Sequence, residues 1–336
     1  MSKKLTKRTL ARHIERVFKT LLRTGSAGTM KDRLLAFACA VVALVSASFV
    51  SAKHLGDWSA PVNLESIPGT SAELNTLFNE GCPFQSPDGL NLYIASNRIG
   101  GMGGLDIWIA HRATKDAPWG APENPGAPVN SAVDDFCPTP VNGHGLFFVS
   151  ARSGGCGGPD IYFTRLQNGE WQLPQNLGCD INSAAGEASP SYFEDESGNA
   201  FLYFSSTRAG GFEPGGVDSD IYFSLNFGPA QLAPGLNTAS DDSRPNVRKD
   251  GREIVFDSTR PGTLGALPDI WTATRASIYD DWPTPDHLDA PINSTANETR
   301  ATLSWDGVTM YFGSTRPGSE GSSDIYVTTR EKLKGN

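Results

Sequence analysis

The chain has 336 residues, 38% of them hydrophobic and 19% charged, with 36 Gly and 23 Pro. That composition excludes a long coiled coil, a collagen-like fibre and a wholly disordered chain, and fits a β-rich fold with many turns. Residues 1–52 carry ten Lys/Arg against two Asp/Glu. The remaining 18 basic and 35 acidic residues leave the body at −17, a charge that repels phosphate backbones and anionic headgroups, so neither nucleic acid nor a membrane surface is an expected partner.

The first element is an apolar run, Leu34–Ala52, preceded by Lys31 and Arg33. Small residues follow its apolar part, with Val50 and Ala52 at the −3 and −1 positions of a cleavage site, the pattern of an export signal. A run of about 19 residues can also just span a bilayer as an uncleaved anchor. Either form sends the remainder, read as one domain over 53–336, to the periplasm or outside the cell.

From there the chain repeats itself five times. Central runs ending in Ser-x-Arg close on Arg98, Arg152, Arg208, Arg260 and Arg316, spaced 54, 56, 52 and 56 residues apart. Each is preceded by an Asp-Gly, Asn-Gly or Ser-Gly turn and followed by Asp-Ile-Trp/Tyr at Asp106, Asp160, Asp220, Asp269 and Asp324. Ahead of each stands an acid three residues before Pro or Ala: Glu80, Asp135, Glu187, Asp242 and Glu298. Period-2 runs divided by turn signals read as four strands per unit, here a to d. Strand a follows the acid, b carries the Ser-x-Arg run, a Gly-rich loop leads to c, and d carries Trp, Pro and Leu. Four strands in about 50 residues make a propeller blade. The fifth unit lacks strand d, and its pattern stands instead at Trp58–Leu64. The expectation is therefore an all-β, five-bladed β-propeller of four antiparallel strands per blade, its last blade closed by the N-terminal strand.

The Ser-Pro-Asp-Gly, Tyr/Phe-x-Ser-x-Arg, Gly-Gly and Asp-Ile-Tyr elements resemble the WD-repeat-like blades of the TolB propeller family over nearly all of Trp58–Arg330. The resemblance implies an envelope or exported protein serving as a binding platform. No TolB-like N-terminal domain precedes the blades, so TolB's own partners do not carry over.

In a propeller the d–a and b–c loops share one face. The five acids, the five arginines and the strand-c aspartates are therefore expected around one mouth of the channel. They form either a charged rim for a polar ligand or Arg–Asp pairs that pin each Gly-rich loop. The third unit departs most, with a long b–c loop, Ala209–Ser219, carrying Glu213 and Asp218, and an acidic a–b turn at Glu194–Glu196. Varied loops on a rigid scaffold often carry binding.

Cys39 lies in the apolar run, leaving four cysteines in the body. Cys156 and Cys179 fall on the same face and form the preferred disulfide. Cys82 and Cys137, at equivalent positions before Pro83 and Pro138, are either a second pair or buried thiols. No spacing indicates a metal, and no cofactor motif is present. The recurring tryptophans Trp58, Trp119, Trp171 and Trp282 read as blade packing, and the scattered histidines as surface residues.

The functional expectation is an exported, non-enzymatic propeller that binds an envelope or extracellular protein or glycan through the channel-mouth face. The acids, the arginines, Glu213 and Asp218 are its candidate ligand-binding residues. The alternative is a glycan-active hydrolase or lyase. Arabinanase-type five-bladed enzymes use channel carboxylates as acid and base, and the acid ring supplies five. These five look interchangeable, whereas a catalytic pair needs distinct environments.

Overall fold

The structure is a computed structural model that describes residues 55–213, 215 and 218–333. The export-signal reading of 1–52 lies outside the described residues. The body is a five-bladed β-propeller, as the repeats predict. Strands a begin at the five acids and run Glu80–Gln85, Asp135–Val141, Glu187–Glu194, Asp242–Val247 and Glu298–Leu303. They touch one another in a closed ring and form the innermost layer.

Each sheet is antiparallel in the order a, b, c, d, and its register aligns the repeated polar residues. Glu80, Ser96 and Asp106 face each other across a, b and c in the first blade. Glu298, Ser314 and Asp324 do so in the fifth. In the first blade strand d shrinks to one bridge, Ile109 to Glu123. In the fifth, Val62 and Asn63 pair with Val327 and Tyr326. The first described strand thus closes the last blade, and two edges that would invite pairing with other chains are joined.

The core lies between blades and follows the period-2 pattern. One position of strand b holds Ile94, Phe148, Phe204, Phe256 and Phe312, and the Asp-Ile motif supplies Ile107, Ile161, Ile221, Ile270 and Ile325; all ten are fully buried. Each such side chain stabilises the fold by roughly 1.5–3 kcal/mol relative to exposure.

Every strand a carries a bulge at the third residue of its unit. Cys82, Cys137, Ser189, Arg244 and Arg300 have φ of 47°, 48°, 49°, 53° and 58°, and the a–b register shifts at each. The cause is in the sequence. Pro83, Pro138, Pro190 and Pro245 follow the first four, and proline, lacking an N–H, is tolerated in a sheet only at edges and bulges. The bulges turn these five side chains toward the centre of the ring.

Candidate functional site

The five acids are not a solvent-facing rim. Glu80, Asp135, Glu187, Asp242 and Glu298 are 0–1% exposed. Glu80 is typical: it accepts hydrogen bonds from the Thr76 N–H at 3.0 Å and hydroxyl at 2.6 Å, from the Ser96 hydroxyl at 2.8 Å, and from Arg98 Nη2 at 3.3 Å. Arg152, Arg208, Arg260 and Arg316 pair in the same way with Asp135, Glu187, Asp242 and Glu298. The arginines also donate to d–a loop carbonyls, such as those of Val129 and Ile292, and lie over the aromatic rings of strands b and c. Both rings of charge are thus frame, spent on each other inside the blade.

The expected Arg–Asp pairing is corrected by this geometry. The arginines take the upstream acid, while the strand-c aspartates hold the Gly-rich loops through backbone N–H groups. The Cys156, Phe212 and Leu264 amides donate to Asp160, Asp220 and Asp269 at 2.6, 2.7 and 2.6 Å. Glycine is required there: a Cβ on Gly101 or Gly155 would stand 1.9 or 1.7 Å from the carboxylate it wraps. His287 is also more than a surface residue. Its Nε2 lies 2.6 Å from Asp269, in the place that Asn176 takes beside Asp160.

Glu213 is exposed and Asp218 half-buried, and the structure brings neither into contact with the channel cavity. Cys156 and Cys179 are disulfide-bonded across the second blade's loops, and Cys82 is bonded to Cys137 between the first two blades.

The side chains that do reach the centre are the five bulge residues. Together with Phe84, Pro138, Pro190 and Pro245 they line a small cavity of about 20 Å³. Their chemistry is unequal. The Cys82–Cys137 disulfide and Ser189, whose hydroxyl lies 3.2 Å from Cys137 Sγ, form a neutral arc. Arg244 and Arg300 form a cationic one. Between and beneath the arginines lies the fully buried Asp257, which accepts from Arg244 Nη1 at 2.9 Å and from the Arg300 N–H at 2.8 and 3.1 Å. Burial pushes its carboxyl up to about 6, against the opposing pull of Arg244.

The half-buried guanidinium of Arg300 lies against Gly81, where a Cβ would come within 3.0 Å of Cδ and 3.1 Å of Nη1. Among the described residues it makes no ion pair, and burial, then the charge of Arg244, draws it down to about 10. Arg244 is matched by the buried Asp257, while the Arg300 guanidinium has no carboxylate of its own, an arrangement that leaves an unmatched positive charge at the cavity wall for an anionic group.

The channel is also rigid. Thr139 donates to the Pro190 carbonyl, the Val247 N–H to Ser191 at 2.8 Å, the Leu303 N–H to Asn246 at 2.9 Å, and Thr302 to the Pro83 carbonyl. With the Cys82–Cys137 bond, all five junctions between blades are tied at the inner strands.

The frame predicts little chemistry and the channel more, yet the residue-by-residue reading of the motifs passes over Arg244, Asp257 and Arg300. The signal lies in comparing units column by column. Two residues after each acid stand Cys, Cys, Ser, Arg and Arg; just before each Ser-x-Arg stand Ala95, Val149, Ser205, Asp257 and Gly313. Only the fourth and fifth units bring charge into these columns.

No family model and no curated protein matches the chain. Solved structures do. A thermostable family-43 glycoside hydrolase superposes with a TM-score of 0.53 at 13% identity, over 80% of this chain and 93% of that one. An endo-arabinase from Bacteroides thetaiotaomicron gives 0.50 at 16% identity, over 76% and 95%. A putative TolB from Agrobacterium tumefaciens gives 0.45 at 15%, over 77% and 79%. At these identities the likeness is one of fold, the five-bladed propeller.

The matching propellers correct the functional expectation. Those that superpose at a TM-score of 0.50 include an endo-arabinase and two α-L-arabinofuranosidases, so the neighbours do not support the non-enzymatic binding module, although at 9–16% identity what they share with this chain is the fold. The acid ring assigned to the glycan-active alternative is corrected as well, because its carboxylates are buried in ion pairs and none lines the cavity.

Proposed function

We propose that this protein is an exported, glycan-active propeller, a hydrolase or lyase, that binds the carboxylate group of an acidic glycan at its channel. The observation that carries the reading is the pair Arg244 and Arg300 on one wall of the cavity, with a single buried carboxylate between them. Guanidinium groups match a carboxylate bidentately and stay charged at any working pH. The cavity is small, about 20 Å³, room for about one water-sized group and not for a sugar ring, so only the carboxylate of a glycan would reach the arginines. Most glycosidases use two carboxyl groups. Among the described residues no carboxyl lines this cavity, and Asp257, fully buried behind Arg244, orients that arginine rather than meeting a substrate. Cations at a uronate carboxylate also stabilise the charge that builds when the neighbouring proton is removed, which favours the eliminating branch. The TolB-like repeat assignment and the periplasmic or extracellular location belong to the same proposal and rest on the repeat motifs and the apolar run.

The test incubates the full chain with neutral arabino-oligosaccharides and with uronate oligosaccharides, reading new reducing ends and the ultraviolet absorbance of an unsaturated uronate. The expected result is product from uronates, reduced about 10- to 100-fold in Arg244→Gln or Arg300→Gln. Product from neutral substrates that ignores both substitutions, or none from either class, would overturn it.

A further inference from the structure

The rim of the propeller opposite the acids carries an aromatic stack that neither the repeat nor the channel uses. Strand c of the third blade, Asp220–Leu225, ends in a tight turn, with the Gly228 N–H donating to the Leu225 carbonyl at 3.0 Å. Asn226 and Phe227 sit at φ of 52° and 58°. Two consecutive left-handed residues define a turn of the kind that favours Asn-Gly. The second blade makes the corresponding turn in that way, with Asn168 at 54° and Gly169 at 82°. The third blade places phenylalanine where glycine belongs, and a bulky residue there is strained.

Burial does not repay that strain, since Phe227 remains 42% exposed. Its ring instead lies nearly parallel to Tyr192, at 6.2 Å and 16°, and stacks on Phe147 at 6.1 Å and 27°. Polar groups flank the stack. The Tyr192 hydroxyl donates to the exposed Glu194, and the exposed Arg165 lies over Phe163 at 5.1 Å. Among the described residues Arg165 makes no ion pair. A flat exposed ring backed by two further rings, edged by one free guanidinium and one carboxylate, matches a sugar ring: an apolar face to stack, and hydroxyls or a carboxylate at its margin.

We propose that Phe227, stacked on Tyr192 and bordered by Arg165 and Glu194, is a second glycan-binding platform on the face away from the acid ring, holding a sugar ring of a polymer. The proposal rests on the glycan-directed reading above and deepens it. Strain at an exposed aromatic residue is a mark of function when nothing in the fold needs that residue.

The test is affinity electrophoresis of the full chain in native gels cast with arabinan, xylan or polygalacturonate. It compares the unsubstituted protein with Phe227→Gly, Arg165→Gln and the double substitution Arg244→Gln/Arg300→Gln. Phe227→Gly installs the residue that the second blade already uses, so it folds. The expected result is retardation by at least one polymer that weakens about 3- to 10-fold in Phe227→Gly, weakens less in Arg165→Gln, and persists in the channel double substitution. Retardation lost in the double substitution but intact in Phe227→Gly would overturn the platform and leave the channel reading standing. Retardation equal in all variants, or absent from the unsubstituted protein with every polymer, would also overturn it.

Discussion

Two rings of five side chains stand two residues apart on the same inner strands, and they differ in kind. At the first position every blade has a carboxylate, buried and ion-paired. At the second the blades hold Cys82, Cys137, Ser189, Arg244 and Arg300, facing a cavity. A feature present in every blade serves what every blade needs, a pinned b–c and d–a corner. A ligand in one cavity meets five positions at once and has no use for identical copies. Recurrence reports the frame, and departure from recurrence reports the site.

The comparison breaks first if the frame acids prove dispensable. Replacing Arg316 or Arg152 by Gln leaves Glu298 or Asp135 charged and unpaired in the blade, which should cost about 3–5 kcal/mol. Urea unfolding measures it, and an unchanged midpoint in both would remove the distinction between the rings.

Next in size is a pH effect at the channel. Burial raises Asp257 from 3.8 to about 6, so the folded protein keeps this proton after the unfolded chain has lost it. The resulting stability is full below about pH 4 and lost as pH rises to about 6, on the order of 2–3 kcal/mol. Asp220, raised to about 6 by burial and by its neighbours Asp218, Asp242 and Asp241, adds to the same decline. Asp257→Asn should flatten the fall in melting temperature between pH 4 and 6; an identical slope in the variant contradicts the assignment.

A smaller effect belongs to the d–a asparagines. Asn182 caps Ile161, accepting from its N–H at 2.8 Å and donating to its carbonyl at 3.1 Å. Asn182→Ala removes the Asn182 partner of the Ile161 N–H, while the carbonyl keeps the Leu177 N–H at 3.1 Å, and should cost about 1–3 kcal/mol in the same unfolding assay. The smallest is Glu213→Ala on the exposed third-blade loop, expected within about 0.5 kcal/mol in stability and without effect on turnover.

Much of the fold was legible in the residues. Five Gly turns, five Ser-x-Arg runs and the displaced Trp58–Leu64 pattern prescribe the blades and their closure, because a turn residue or a buried alternation reads locally. What a charged residue pairs with does not. Arg98 precedes Asp106 by eight residues in the chain but lies beside Glu80, because Ser96 faces Glu80 across antiparallel strands. Register, not sequence distance, chose the partner. The five asparagines, each five residues before its acid, were equally regular. A side chain that holds a strand-c backbone in place of a neighbouring strand has no local signature in the sequence. The channel charges were hidden differently: Arg244, Asp257 and Arg300 show only when the units are laid over one another.

The most direct test sets two arginines of the fifth unit side by side. Arg300→Gln and Arg316→Gln would each be measured for melting temperature and for turnover of a uronate oligosaccharide. The account predicts that Arg316→Gln melts well below the unsubstituted protein, while Arg300→Gln melts as before and loses turnover. A stable, inactive Arg316→Gln beside a fully active Arg300→Gln would place the chemistry in the frame and contradict the account.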